Sequence, residues 1–145
     1  MSLIIRRAEY EDLPAILELY GHLDSEQVLP WEEAGRIFRR MKRYPDYRLY
    51  VATRDNRIVG TFALLIMDNL AHQGAPSGIV EDVVVHPDWR RHGIGKEMMR
   101  FAMRRCQEKG CYKMSLSTNL KREAAHRFYE SLGFQKHGYS FFVEF

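Results

Sequence analysis

The chain has 145 residues, 46% hydrophobic and 28% charged, the size and balance of one globular domain with a buried core. A net charge of +3 favours an anionic ligand but falls short of the dense cationic footprint of a nucleic-acid binder. Two cysteines, Cys106 and Cys111, are too few for a disulfide framework and wrongly spaced for a zinc pair.

The first run, LIIRRA (3–8), predicts a short strand. EYEDLPAILELYGHL then predicts a helix with Asp12 as N-cap, Pro14 in the first turn, and Leu13, Ile16, Leu17 and Tyr20 at helical spacing. PWEEAGRIFRRMKRY predicts a second helix, opened by Pro30, with Trp31, Ala34, Ile37, Phe38 and Met41 on one face. YRLYVATRDNRIVGTFALLIMD predicts a hairpin turning at Asp55-Asn56, a pair that tolerates the dihedrals of a tight turn.

Residues 68–78, with Gly74, Pro76 and Gly78, predict a loop, and IVEDVVV a strand. GIGKEMMRFAMRRCQEKG predicts a helix closing on Gly110, YKMSLST a strand, and KREAAHRFYESLG a helix with Ala125, Phe128, Tyr129 and Leu132 aligned. The aromatic tail FQKHGYSFFVEF predicts one or two final strands, on an inner face or at a dimer interface. No repeat or linker divides the sequence, so a single domain over 1–145 is expected. Mixed strands and helices with one strand-to-helix crossover imply an α/β sandwich. The amino-terminal residues lack the apolar core of a signal peptide and no run reaches membrane-spanning length, so a soluble cytoplasmic protein is expected. Both cysteines fit small buried groups in a reducing compartment.

Between strand and helix lies HPDWRRHGIGKE (86–97). Gly93 and Gly95 permit close backbone approach. A helix starting there points unpaired amide protons and a positive dipole end outward, and Arg90, Arg91, His92 and Lys96 strengthen the field. The expected ligand group is a phosphate or diphosphate. A nucleotide P-loop would need a glycine where Arg90 stands and Ser or Thr where Glu97 stands; a dinucleotide fingerprint would need a third glycine at Met98.

Arg90-x-x-Gly93-x-Gly95 after a valine-rich strand resembles the Arg/Gln-x-x-Gly-x-Gly/Ala motif of the GNAT superfamily of N-acetyltransferases. AHRFYESLGF (125–134) resembles its second signature, an aromatic–Tyr pair before Gly-Phe. The resemblance spans nearly the whole chain, and IVEDVVV…GIGK and YKMSLST are similar to the small-amine branch, which includes glucosamine-6-phosphate acetyltransferases. It implies the GNAT fold, an α/β architecture with a mixed, mostly antiparallel twisted sheet of six to seven strands and about four helices. It implies transfer of an acetyl group from acetyl-CoA to a primary amine of a small molecule, by direct attack in a ternary complex, without a metal.

By the same resemblance the diphosphate sits on the amides of Arg91, His92, Gly93, Ile94, Gly95 and Lys96, beside Arg90. The pantetheine arm adds to the strand through the main chain of Val83 and Val85, whose side chains also suit the core. Tyr129 is implied as the general acid for the departing thiolate; periodicity alone would leave it a core tyrosine. Glu81 is the first candidate for the base that takes the amine's proton and Asp82 the second. Alternation puts them on opposite faces and sets Glu81 with Val83 and Val85. Either carboxylate fits equally a strand-end group held by an arginine or a helix amide. Many relatives place an asparagine seven residues before the tyrosine, where this chain has Arg122; Asn119 is then expected to reach the pantetheine or the substrate, and Arg122 the phosphates of the coenzyme.

The six histidines show no metal-ligating spacing. His126, beside Phe128 and Tyr129, reads as a surface or capping group or one that tunes the acid, and Trp89 as an anchor for the glycine turn. The acceptor's walls are expected in 21–32 and 69–78, where Asp24, Glu26, Glu32 and Glu33 suit a cationic amine or simply a solvated face. Basic residues are not gathered there, so a sugar phosphate has no evident home. Relatives often dimerise, which makes a homodimer an expectation, with no membrane or nucleic-acid partner. The rival readings are a non-catalytic acyl-CoA-binding regulatory domain and a protein or peptide N-acetyltransferase.

Overall fold

A computed structural model of the chain describes residues 2–23 and 29–145. Contacts gather into two units, Met1–Ser115 and Leu116–Phe145. In the first, β1 (Ile4–Arg7) leads into a short 3-10 turn and α1 (Leu13–Leu23). Then come α2 (Trp31–Met41), β2 (Tyr47–Arg54), β3 (Arg57–Met67), β4 (Ser77–Val85), α3 (Ile94–Glu108) and β5 (Lys113–Ser115). The sheet runs in chain order β1-β2-β3-β4-β5, antiparallel up to β4 and parallel between β4 and β5.

The local reasons are readable. Asp55 (φ 54°) and Asn56 (φ 61°) both take the left-handed conformation, so two residues close the β2–β3 hairpin with a twist that suits the strands. Gly110 (φ 77°) ends α3. The N–H of Cys111 there donates to the carbonyl of Cys106 (2.9 Å), satisfying an orphan group of the last turn.

Residues paired across the ladders share a face of the sheet. One face carries Leu49, Val51 and Ala63 against Leu13, Ile16 and Phe38 of α1 and α2. The other carries Tyr50 and Phe62, stacked at 5.1 Å, with Phe101 of α3 edge-on to both. Gly60 and Gly78 leave room on that face for Met98 and Cys106. Fully burying a side chain such as Phe62 or Ile16 contributes about 1.5–3 kcal/mol.

The second unit holds α4 (Glu123–Ser131), closed by Gly133 at φ 97°. The strands expected in the tail are absent from residues 134–145, so the sheet has five strands among the described residues rather than six to seven. An extended run becomes a strand only by pairing, and this unit contains α4 and no strand to pair with.

Three smaller expectations change. Asp12 does not cap α1; its carboxylate accepts from the N–H of Glu9 (2.7 Å) and from both Arg6 guanidinium nitrogens (2.7 and 3.0 Å), pinning the chain before the helix. Trp31 stays 45% exposed because it sits in the first turn of α2, tilted against Tyr10. Ser77 and Gly78 belong to β4 rather than to the preceding loop, because they pair with Met67 and Ile66 of β3. No helix of the described residues is long and apolar enough to cross a membrane.

Candidate active site

The glycine turn takes the form its sequence predicts. Pro87–Trp89 makes one 3-10 turn, Arg91 (φ 65°) and Gly93 (φ 76°) are left-handed, and α3 begins at Ile94. The first bond of the helix runs from the N–H of Glu97 to the carbonyl of Gly93 (3.1 Å). The amides of Ile94, Gly95 and Lys96 lie ahead of it and have no helical acceptor. Gly93 supplies no side-chain cap, and a Cβ added there would meet nothing within 4 Å. The result is an open cradle of backbone donors at the positive end of a 15-residue helix, a geometry that receives a diphosphate.

Trp89 anchors the turn as expected, under the Arg54 guanidinium (5.9 Å) and tilted against His92 (5.7 Å). The Nδ1 of His92 bonds the carbonyl of Arg90 (2.8 Å). A cavity of about 470 Å³ alongside is lined by Arg57, His86, Trp89 and His92 together with the carboxylates of Glu18 and Asp88, so its charge is mixed.

Before the turn, β4 is irregular. Thr61 pairs with Val84 and Ala63 with Glu81, leaving Asp82 and Val83 together opposite Phe62. This is a β-bulge, and Asp82 supplies its left-handed residue at φ 52°. A bulge resets alternation. Glu81 lies on the α1 face with Ala63, Val84 lies there with Thr61, and Val85 turns to the α3 face with Gly60. That corrects the expectation that Glu81 shares a face with Val85, since strict alternation does not survive the extra residue.

Both carboxyls are held above the ordinary carboxylate range. Burial disfavours the charge of each, and the Asp82 charge pushes Glu81 further. Their residues are exposed overall, so solvent reaches them while the walls still withdraw water from the carboxyl groups. Two phenols belong to the same surroundings. Tyr20 of α1 and Tyr47 of β2 are raised by burial and then by the Asp82 charge, with Glu81 adding at Tyr47. Neither phenol could be assigned here from sequence, because both also satisfy the apolar stripe of their own element.

Up to Ile79, β4 is paired on both sides; above Ile79, where β5 has ended, its ladder partner among the described residues is β3. The β4–β5 ladder consists of Ser77–Lys113, Gly78–Met114 and Ile79–Ser115. Val83 and Val85, half-buried, lie beyond the last of these pairs. A second cavity, about 250 Å³, opens at this junction, and Asn69 of the predicted wall 69–78 contributes to it. Asp24 and Glu26 lie outside the described residues; Glu32 and Glu33 stand in the first turn of α2.

In the second unit Tyr129 is half-buried on α4, edge-on to Phe134 (5.5 Å) and tilted against Phe128 (5.2 Å). Burial raises its phenol while the Arg122 charge opposes the rise. Arg122 is the N-cap of α4. Asn119 is occupied locally: its side-chain oxygen accepts from the N–H of Lys121 (2.8 Å), and its carbonyl bonds the Nε2 of His126 (2.7 Å). His126 thus ties α4 to Asn119, three positions before the N-cap Arg122, rather than capping the helix.

The acetyltransferase (GNAT) family model matches residues 10–134. A glucosamine 6-phosphate N-acetyltransferase of Trypanosoma brucei brucei is 34% identical over 138 residues, covering 94% of this chain and 92% of that protein. An aminoalkylphosphonate N-acetyltransferase of Salmonella typhimurium is 31% identical, over 94% of this chain and 88% of its own length. A solved structure from Agrobacterium tumefaciens strain C58 superposes with a TM-score of 0.92 at 36% identity, covering 99% of each chain.

Proposed function

The chain belongs to the acetyltransferase (GNAT) family, and from that premise we propose that it moves an acetyl group from acetyl-CoA to the primary amine of a small molecule by direct attack, as one domain spanning residues 1–145. The single observation that carries the reading is the cradle of unbonded amides after Arg91 and Gly93, both left-handed, ahead of the Glu97–Gly93 bond. Arg90, Arg91 and Lys96 flank it with positive charge, and His92 stands beside them. The upper part of β4, paired to β3 on one edge and without a ladder pair on the other among the described residues, supports an amide-bearing arm laid along Val83 and Val85.

When bound, acetyl-CoA supplies the thioester carbonyl that the amine attacks. An ammonium has no lone pair, so a base must take its proton first. Glu81 is the first candidate for that role and Asp82 the second, directly or through one water, because a carboxyl raised above its ordinary value shares a proton with an amine more evenly than an ordinary one. Tyr129 returns a proton to the coenzyme sulfur; its raised phenol keeps that proton at neutral pH. Asn119 and Arg122 are assigned to the coenzyme only secondarily, since both already organise the start of α4.

The relatives from Trypanosoma and Salmonella act on glucosamine 6-phosphate and on aminoalkylphosphonates by name. Each such acceptor joins an amine to a phosphorus oxyanion, and amines of that kind are the first candidates here. Four aromatic tail residues, Tyr139, Phe141, Phe142 and Phe145, are largely exposed and support a homodimer. Two free thiols, Cys106 and Cys111, agree with a cytoplasmic location.

Calorimetric titration with acetyl-CoA tests the reading: saturable binding is expected, and Gly93→Asp should abolish it by placing a charged side chain in the cradle. Wild-type protein that takes up no acetyl-CoA, or that binds it but acetylates no amine of a broad panel, would overturn the proposal.

A further inference from the structure

On the α1 face, β4 carries Ser77, Ile79 and Glu81 in one line below the bulge, since Met67, Leu65 and Ala63 pair with them in turn. Beside that line, Lys113 is level with Ser77 and Ser115 with Ile79. The cavity of about 250 Å³ sits here, lined by Ser77, Ile79, Lys113, Ser115, Asp68 and Asn69. Its chemistry is mixed polar. Lys113 brings an ammonium whose Nζ lies 5.4 Å from the Tyr112 ring centre, Ser77 and Ser115 bring hydroxyls, and Asn69 brings an amide that already donates to the carbonyl of Ala75 (3.3 Å). Asp68 stands on the loop side, so an anion is repelled from that wall and drawn to the β5 side.

Strand geometry converts the register into a ruler. Successive same-face residues are about 7 Å apart, so the level of Ser115 lies about 7 Å from Glu81 and the level of Lys113 about 13 Å. An acceptor whose amine is at Glu81 therefore reaches Lys113 only if its anion is several bonds away. A very short molecule ends before it, and a neutral one gains nothing from it.

We propose that this cavity holds the far end of the acetyl acceptor, that Lys113 pairs with an anionic group there, and that the spacing from Glu81 to Lys113 selects amines by length. The inference rests on the reading of the chain as a small-amine N-acetyltransferase and adds to it a binding subsite and a length rule. Lys113 is a specificity-determining residue remote from the transferred acetyl group. A phosphate or a phosphonate fits, because an ammonium and two hydroxyls together supply the donors such a group accepts.

The test is a series of unbranched ω-aminoalkylphosphonates, from aminomethyl to aminooctyl, run against the neutral alkylamines of equal length with acetyl-CoA saturating. The expected kcat/KM passes through a maximum at the intermediate phosphonates, about tenfold or more above their neutral counterparts, with the difference in KM. In Lys113→Met the ratio of phosphonate to neutral amine should fall toward one at that length. Lys113→Arg should restore part of it, and retained acetyl-CoA binding in both variants establishes that they are folded. Turnover without a length optimum, or a phosphonate preference untouched in Lys113→Met, would overturn the subsite while leaving acetyl transfer intact. Turnover of no amine, phosphonate or neutral, is the distinct failure of the underlying activity.

Discussion

A Cβ built on Gly78 would lie 2.5 Å from the Sγ of Cys106. Cys106 is buried in α3, and backbone pairing on both sides holds Gly78 in β4, to Ile66 and to Met114. Neither partner has room to retreat. Gly78→Ala should therefore destabilise the fold by about 1–3 kcal/mol through overpacking. A urea midpoint lowered at unchanged slope checks it. Removing the opposing sulfur in the Gly78→Ala, Cys106→Ala pair should recover part of the loss, so additive costs would refute the contact as the cause.

The pH–rate profile follows from the two raised carboxyls. A base works in its charged form, so kcat/KM should rise with pH through a midpoint above the ordinary carboxylate range. Of Glu81→Gln and Asp82→Asn, the variant that removes the base should lose about 10²–10⁴-fold in rate and flatten that limb. Turnover that shows no rising limb above the ordinary carboxylate range would exclude both.

Asp82 should also report on stability, with the opposite sign to its effect on rate. Its folded-state pKa is raised, so the linked stabilisation is complete below the unfolded value and is lost as pH rises through the folded one. At neutral pH the folded protein carries an unfavourable charge. Asp82→Asn keeps a residue that tolerates φ 52° and should melt higher than wild type at pH 7, the advantage shrinking in acid. A melting temperature lowered at pH 7 would show that the carboxylate is held by favourable contacts instead.

Asp12 should behave in the other direction. The Arg6 guanidinium, followed by the N–H of Glu9, holds its carboxyl below the ordinary value of 3.8. Its contribution is present above that unfolded value and is lost as pH falls through the lower folded one. Asp12→Asn should cost about 1 kcal/mol near neutrality, modest because Arg6 is partly exposed. The difference from wild type should vanish in strong acid, as paired denaturation curves would show.

Tyr129→Phe separates two roles that one position can hold. As the acid, Tyr129 should lose about 10²–10⁴-fold in kcat on losing its hydroxyl, with acetyl-CoA affinity near wild type. If turnover is unchanged, its ring against Phe128 and Phe134 is its whole contribution.

Much of this was legible in the chain. The hairpin at Asp55-Asn56, the helix starts at Trp31 and Ile94, and the glycine closures at Gly110 and Gly133 are local: each rests on dihedrals that a few neighbouring residues impose. The cradle at Gly93 was legible for the same reason. What escaped depends on partners distant in sequence. Gly78 reads as loop until Ile66 of β3 is paired with it. Asp82 reads as an alternating strand residue until the register with β3 leaves it and Val83 sharing Phe62. Lys113 gives no sign of a ligand role until parallel pairing brings it level with Ser77. The tail is the converse case, where aromatic alternation promised strands that found nothing to pair with.

Three residue pairs fasten β5 to the rest of the sheet, and that seam has a mechanical consequence. Above Ile79 the ladder to β3 alone holds the upper half of β4, so that half should exchange its amide protons more readily than the doubly paired residues Ser77–Ile79. An amide-bearing guest laid along its open edge acts as an extra rung. Occupancy should then appear as slowed deuterium uptake along the upper half of β4, a signature that contacts at the cradle alone would not produce.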